Sequence, residues 1–133
     1  MRKKIIVDTS VWIQFLNGVP SKEVDYLKEA ILVGELVYVC PTIIQEVLQG
    51  IRDDKQYEVV KDYLLAFDRL EWEPVAAGIA AADLYRALRK KGITIRKSND
   101  CLIAAFAKEF GLSVLQVDRD FQLIAEAGAI SIV

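Results

Sequence analysis

The sequence predicts an α/β protein with a central, mostly parallel sheet, and three observations carry that prediction. Short β-branched runs such as KIIV alternate with stretches whose apolar residues recur at helical spacing. Turn and start signals punctuate them: Asn17-Gly18 closes one helical stretch, Pro41 opens another, and Gly92 follows a long Ala-rich one. Consecutive helical stretches between residues 41 and 91 make the chain richer in helix than a plain βαβ array.

Residues 4–7 read as a buried strand, and residues 10–16 as a helix presenting Val11, Trp12, Phe15 and Leu16. Residues 21–33 keep a helical period through Val24, Leu27, Ala30 and Ile31, opening on Ser-x-x-Val rather than a full capping box. A second strand over 36–40 leads into a helix that starts at Pro41 and is ended near Gly50. Residues 54–70 are expected as one amphipathic helix, with Tyr57, Val60, Leu64, Leu65 and Phe67 near one stripe, and Pro74 starts a helix reaching residue 91. A helix over 98–110, a strand over 113–117, a short helix over 121–127 and a closing strand over 130–133 complete the chain. With no repeat, low-complexity segment or long linker, a single domain over residues 1–133 is expected.

At 53% hydrophobic residues, 133 residues suffice to close one core. Lys plus Arg total 17 against 19 Asp plus Glu, so the net charge of −2 gives no global attraction for nucleic acid or an anionic membrane, and a polyanion must be held locally. The apolar run over 75–82 is too short to span a bilayer and no signal-like leader opens the chain, so a cytoplasmic protein is expected. Cys40 and Cys101 are too few for a disulfide framework or a zinc cage and are expected as buried packing. The absence of histidine excludes Ser-His-Asp and Cys-His catalysis, imidazole acid-base chemistry and His-ligated metals. Chemistry must then rest on carboxylates, hydroxyls, lysine or a metal held by oxygen.

Ligands of open α/β sheets gather beyond the carboxyl ends of the strands. The segment IIVDTSVWI puts Asp8 at such an end, and SVLQVDRDF puts Asp118 at another, with Asp120 two residues on. Asp100, in the first turn of SNDCLIAAFA, shares a helical stripe with Ile103, Ala104 and Ala107 and should lean toward the core. Glu46, on the short helix PTIIQEVLQG that directly follows a strand, can reach the same edge. Each acid also has a plainer role. Asp8 can cap the helix after it, or leave that to Thr9 or Ser10, and Asp118 with Asp120 resembles a turn and cap before Phe121. Asp100 can simply favour the positive end of its helix, with Ser98 or Asn99 as cap, and Glu46 can be a solvated helix residue. Independent caps have no reason to converge on one edge of a sheet, whereas a divalent-cation site requires it. Four close carboxylates raise one another's pKa unless a cation neutralises them, and oxygen ligation without histidine suits Mg²⁺ or Mn²⁺.

Arg86, Arg89, Lys90, Lys91, Arg96 and Lys97 fall within twelve residues that contain no acid, immediately before Asp100. They are either a solvated helix end suited to the macrodipole, or contacts for phosphates or for a partner's acidic groups.

In order and spacing, VDTSVWI, PTIIQEVLQG and ADLYRALRKKGITIRKSNDCLIAAFAKEFGLSVLQVDRDF resemble the PIN domain, in particular the compact VapC-type toxins of bacterial and archaeal toxin-antitoxin pairs. The resemblance covers nearly the whole chain. It implies an α/β/α sandwich around a parallel sheet and a Mg²⁺- or Mn²⁺-dependent endoribonuclease. The family's four acidic positions fall on Asp8, Glu46, Asp100 and Asp118, as catalytic and metal-holding residues, with Asp120 sharing or replacing the fourth role. Ser10 or Thr9 matches the family's supporting hydroxyl, and Asn99 is a further supporting candidate. Also implied are an RNA substrate, a cognate small antitoxin whose C-terminal segment lies across the site, and a homodimer. Trp12, Phe15 and Tyr63 are candidate surface anchors, with core packing the alternative for aromatic residues at this spacing.

Other uses of an Asp after a first strand fit less well. Phosphotransfer enzymes of the HAD kind want a second Asp two residues on, where this chain has Ser10. A response-regulator receiver does not suit the helix-rich middle or an Asp100 placed late on a helix, and no Gly-rich phosphate loop is present. A non-catalytic RNA- or protein-binding module of the same fold remains the alternative.

Overall fold

The apolar runs pair as expected. In a computed structural model, which describes residues 3–133, the elements follow in the order β1 (Lys4–Val7), α1 (Thr9–Leu16), α2 (Lys22–Leu32), β2 (Leu36–Val39), α3 (Pro41–Gln49), α4 (Asp54–Leu65), β3 (Asp68–Arg69), α5 (Pro74–Lys90), α6 (Ser98–Phe110), β4 (Ser113–Leu115), α7 (Arg119–Glu126) and β5 (Ser131–Ile132). The five strands form one sheet in the order β3-β2-β1-β4-β5, and every pairing is parallel. The first three strands step outward in one direction, and β4 then returns to the far side of β1. That reversal opens a crevice between the carboxyl ends of β1 and β4, where ladders align Ile5 with Ser113 and Val7 with Leu115.

Right-handed crossovers place the helices before the reversal on one face of the sheet and those after it on the other. The packing agrees, since α1 touches α2 and α3, and α3 touches α4, while α6 touches α5 and α7. Helix α3 also meets α6, which brings Glu46 beside Asn99. The core between the layers holds Ile5, Ile6, Val7, Val114 and Leu115 from the central strands against Trp12, Ile43, Ile103 and Phe121. Fully burying one such side chain contributes about 1.5–3 kcal/mol. Cys40 and Cys101 are buried as expected, and burial pushes both thiols up to about 11. Among the described residues no helix is long and apolar enough to cross a membrane.

Helix ends follow local chemistry. Ser21 accepts from the Val24 N–H at 3.0 Å, Asp53 from Gln56 and Glu73 from Ala76, each satisfying one orphan donor of a first turn. Gly111 closes α6 at φ +67°, a backbone region an L side chain rarely adopts.

Three expectations need correction. The helix expected over 54–70 stops at Leu65, and Asp68–Arg69 becomes an edge strand whose ladder continues through the Leu70 N–H to the Val39 carbonyl at 2.9 Å. Periodicity misses so short a strand because two residues are too few to show alternation, while Phe67 and Leu70 on either side both pack on the core. The strand expected over 113–117 is paired only to Leu115, and α7 begins at Arg119 because Asp118 caps it there. Of the aromatic residues considered as surface anchors, Trp12 is wholly buried. It packs with Phe15, Tyr63 and Phe67, at ring centroids 5.3–6.5 Å apart, and these rings join α1 to the end of α4.

Candidate metal centre

The crevice between β1 and β4 gathers acids because two strands end there in the same grammar, a carboxylate that caps the next helix. Asp8 is the N-cap of α1, its carboxylate accepting from the N–H and the hydroxyl of Ser10, while its own N–H donates to the Leu115 carbonyl at 2.9 Å. The plain role, the cap, is therefore present, and it falls to Asp8 itself rather than to Thr9 or Ser10. Asp118 likewise caps α7, accepting from the Asp120 N–H at 2.9 Å through Oδ1.

Asp100 arrives from α6. That helix opens at Lys97 without a side-chain cap, so neither Ser98 nor Asn99 closes it, and Asp100 falls on the inward stripe with Ile103, Ala104 and Ala107. Only 4% of Asp100 and 2% of Asp120 is exposed. Oxygens of Asp100, Asp118 and Asp120 lie within 4.8 Å of one another. Oδ2 of Asp100 and Oδ2 of Asp120 are buried with no hydrogen-bond partner among the described residues. A buried carboxylate left without a partner costs several kcal/mol, and such oxygens are suited to holding a cation.

Burial, then the charges of Asp8 and Asp118, push Asp100 up to about 8. Asp8 is raised as well, chiefly by burial, against the opposing help of its Ser10 bonds. Asp118 moves the other way. Burial alone would raise it, but the hydrogen bond from Lys97, the Asp120 N–H and the charges of Lys97 and Arg96 together hold it below the usual carboxylate value.

Glu46 stands outside the tight trio but is tied to the segment after β1 and to the first turn of α6. Its carboxylate accepts from Thr9 Oγ1 at 2.8 Å and from Asn99 Nδ2 at 3.4 Å. The two hydroxyls after Asp8 thus divide: Ser10 serves Asp8, and Thr9 serves Glu46. Asp120, a secondary candidate in the sequence, is as deeply placed as Asp100, and its signal was present as the second acid of the DRD triplet.

The basic stretch does not act as a block. Lys97 Nζ lies 2.9 Å from Asp118 Oδ2, and Arg96 Nε 3.8 Å from Asp120 Oδ1. Arg86 lines a cleft of about 400 Å³ between α5 and α6 that runs alongside Ser98 and Asn99. Arg89 lies over the Tyr85 ring, and Lys91 donates to the Ala127 carbonyl at 3.3 Å. Lys90 is an exposed residue of the last turn of α5, where a cation suits the macrodipole.

A family model described as "PIN domain" matches residues 5–127. The chain belongs to the PIN-domain family. Ribonuclease VapC11 of Mycobacterium tuberculosis is 32% identical over 122 residues, which cover 91% of this chain and 91% of that protein. Ribonuclease VapC51 of the same organism is 33% identical over 125 residues, covering 94% and 88%. Among solved structures, VapBC2 from Rickettsia felis, bound to a promoter DNA fragment, superposes with a TM-score of 0.76 at 16% identity, covering 97% of this chain and 96% of that one. FitAcB from Neisseria gonorrhoeae reaches 0.69 at 22% identity, covering 96% and 95%. The α/β arrangement around a parallel sheet is thus the PIN-domain fold, and in this PIN domain the acids lie where the strand order reverses.

The donor set suits a hard divalent cation. It is all carboxylate, contains no sulfur or imidazole, and includes two buried oxygens lacking any partner.

Proposed function

We propose that this chain is a divalent-cation-dependent endoribonuclease, the toxin of a type II toxin-antitoxin pair, acting in the cytoplasm. The observation that carries the chemistry is the pair of buried, partnerless oxygens on Asp100 and Asp120 inside an all-carboxylate cluster. Relatives named as VapC ribonucleases, alike over nine-tenths of their length, support RNA as substrate. Structural neighbours that are VapBC complexes support a small antitoxin as partner.

In this reading Asp8, Asp100, Asp118 and Asp120 hold Mg²⁺ or Mn²⁺, with Glu46 beside them. When bound, such an ion supplies Lewis acidity for a phosphodiester and a water acidic enough to attack near neutral pH. Glu46, steadied by Thr9 and Asn99, serves as the acceptor that orients that water. Ser10 keeps Asp8 turned into the crevice. Asp100 itself is buried, on the same helix as the buried Ile103 and Ala104, and low water content there strengthens its charge interactions. Arg86 lies where a phosphate backbone could approach.

Calorimetry with Mn²⁺ on the wild type, Asp8→Asn and Asp100→Asn tests the site without knowledge of the RNA target. Binding in the wild type that is lost in both variants, together with metal-dependent cleavage of RNA, is the expected result. Absence of Mn²⁺ binding and of cleavage would leave the acids as caps in a non-catalytic binding module. Light scattering tests the homodimer, and a clean monomer would count against it.

A further inference from the structure

Of the clustered acids, Asp118 alone has both carboxylate oxygens engaged. Its Oδ1 accepts the Asp120 N–H and its Oδ2 accepts Lys97 Nζ, each at 2.9 Å. The first bond is part of the α7 cap, made from backbone that cannot leave without unwinding the turn. The second comes from a side chain that is 61% exposed and forms no other ion pair among the described residues. The stem of Lys97 is fixed, because its carbonyl accepts the Asp100 N–H at 3.0 Å and its backbone starts α6. Lys97 is thus an exposed ammonium on a fixed anchor, three residues before the buried Asp100.

We infer that Lys97 is the site's built-in counter-cation: it occupies Asp118 when no divalent ion is present, is displaced when one binds, and then positions the scissile phosphate beside that ion. A divalent cation drawn to Asp118 Oδ2 would stand beside an ammonium, and two like charges so close repel even where one is partly solvated. One must move, and only the lysine has a free path to solvent. Its reach from the α6 start keeps it at the rim of the crevice, where a phosphodiester neutralising the ion would need a second positive charge. Lys97 is a positioning residue here, and the phosphate role rests on the ribonuclease reading; the competition with the cation does not.

The test is Mn²⁺ titration by calorimetry on wild type, Lys97→Met and Lys97→Arg, alongside cleavage of a short single-stranded RNA at saturating Mn²⁺. Removal of the competitor should tighten Mn²⁺ binding by roughly twofold to fivefold in Lys97→Met, the range a half-exposed ion pair supports. The same variant should cleave about tenfold more slowly despite the tighter metal. Lys97→Arg should stay near wild type in both, and unchanged melting temperatures guard against misfolding. A purely structural lysine would weaken metal binding and cleavage together. Unchanged or weaker Mn²⁺ binding in Lys97→Met overturns the counter-cation, and tighter binding with undiminished cleavage overturns the phosphate role. Should wild type bind Mn²⁺ but cleave no RNA, the ribonuclease reading and the phosphate role fall, while the Mn²⁺ arm still decides the counter-cation.

Discussion

Asp8 and Asp118 occupy the same local position and end with opposite electrostatics. Each follows a central strand, caps the next helix, and accepts the N–H of the residue two places on. After Asp8 that residue is Ser10, which adds a neutral hydroxyl donor; after Asp118 it is Asp120, which adds a second carboxylate. Burial therefore dominates at Asp8 and raises it, whereas Lys97 and Arg96 come in from the α6 approach and pull Asp118 down. A shared capping motif sets where a carboxylate points, and distant charges set its protonation. The cluster therefore combines an acid lowered by its cationic neighbours at the rim with acids raised by burial deeper in.

The strongest way to break that comparison is at the floor. On the ribonuclease reading, Asp100→Asn and Asp8→Asn should each lower RNA cleavage at least about a hundredfold with the fold intact, since each would remove a carboxylate that holds the cation. Full activity in either, assayed on RNA with Mg²⁺ or Mn²⁺, would sink the assignment. Asp120→Asn should fall nearly as far, distinguishing an oxygen that faces the cation from one that only helps a cap; a loss of twofold or less would return Asp120 to the background.

Stability sharpens the same contrast. Asp100 in the folded protein is pushed up to about 8, above the ordinary carboxylate value, so the folded state binds the proton more tightly than the unfolded chain does. In metal-free protein the stability from that proton is complete at pH values below the ordinary carboxylate pKa and is lost as pH rises toward about 8. Asp8 adds in the same direction, while the lowered Asp118 adds stability that is lost only as pH falls through its depressed value. Thermal melts of chelator-treated protein should therefore show a lower melting temperature at pH 8 than at pH 6. Asp100→Asn should raise it at pH 8 by roughly 5 °C, a shift on the order of 1–2 kcal/mol in a domain of this size. A flat profile would mean that Asp100 is not buried as an acid.

The smallest effect concerns the supporting hydroxyls. Ser10→Ala should cost about 0.5–1 kcal/mol in chemical denaturation, because Asp8 keeps the backbone cap and loses only the hydroxyl. Thr9→Val should leave stability nearly unchanged and lower cleavage several-fold through a less restrained Glu46. Equal effects of the two variants on both readouts would contradict the division of labour between Thr9 and Ser10.

Much of this arrangement is legible in residue order alone. β-Branched runs, Pro41, Gly111 and Ser21 mark strands and helix ends because their preferences are local to a few residues of backbone. Asp100 declares its inward face through the Ile103, Ala104 and Ala107 spacing, and the lack of histidine leaves oxygen ligation as the chemistry available. The two-residue strand at Asp68–Arg69 is invisible in that pattern, since it exists only because β2 offers an unpaired edge. Trp12 illustrates the same limit: helical spacing permits either a surface or a core, and Phe15 beside it on α1, Tyr63 from α4 and Phe67 from the turn after α4 make it core.

Local chemistry thus specifies most of the strands and helices, several of the caps and the set of acids, because propensity and hydrogen bonding act over a turn of chain. Strand order, the crevice between β1 and β4, and the reach of Lys97 to Asp118 across 21 residues depend on packing between segments distant in sequence. Charge interactions grow steeply as groups approach in a dry interior, so the separate meanings of Asp8, Asp100 and Asp118 arise only once the sheet has closed.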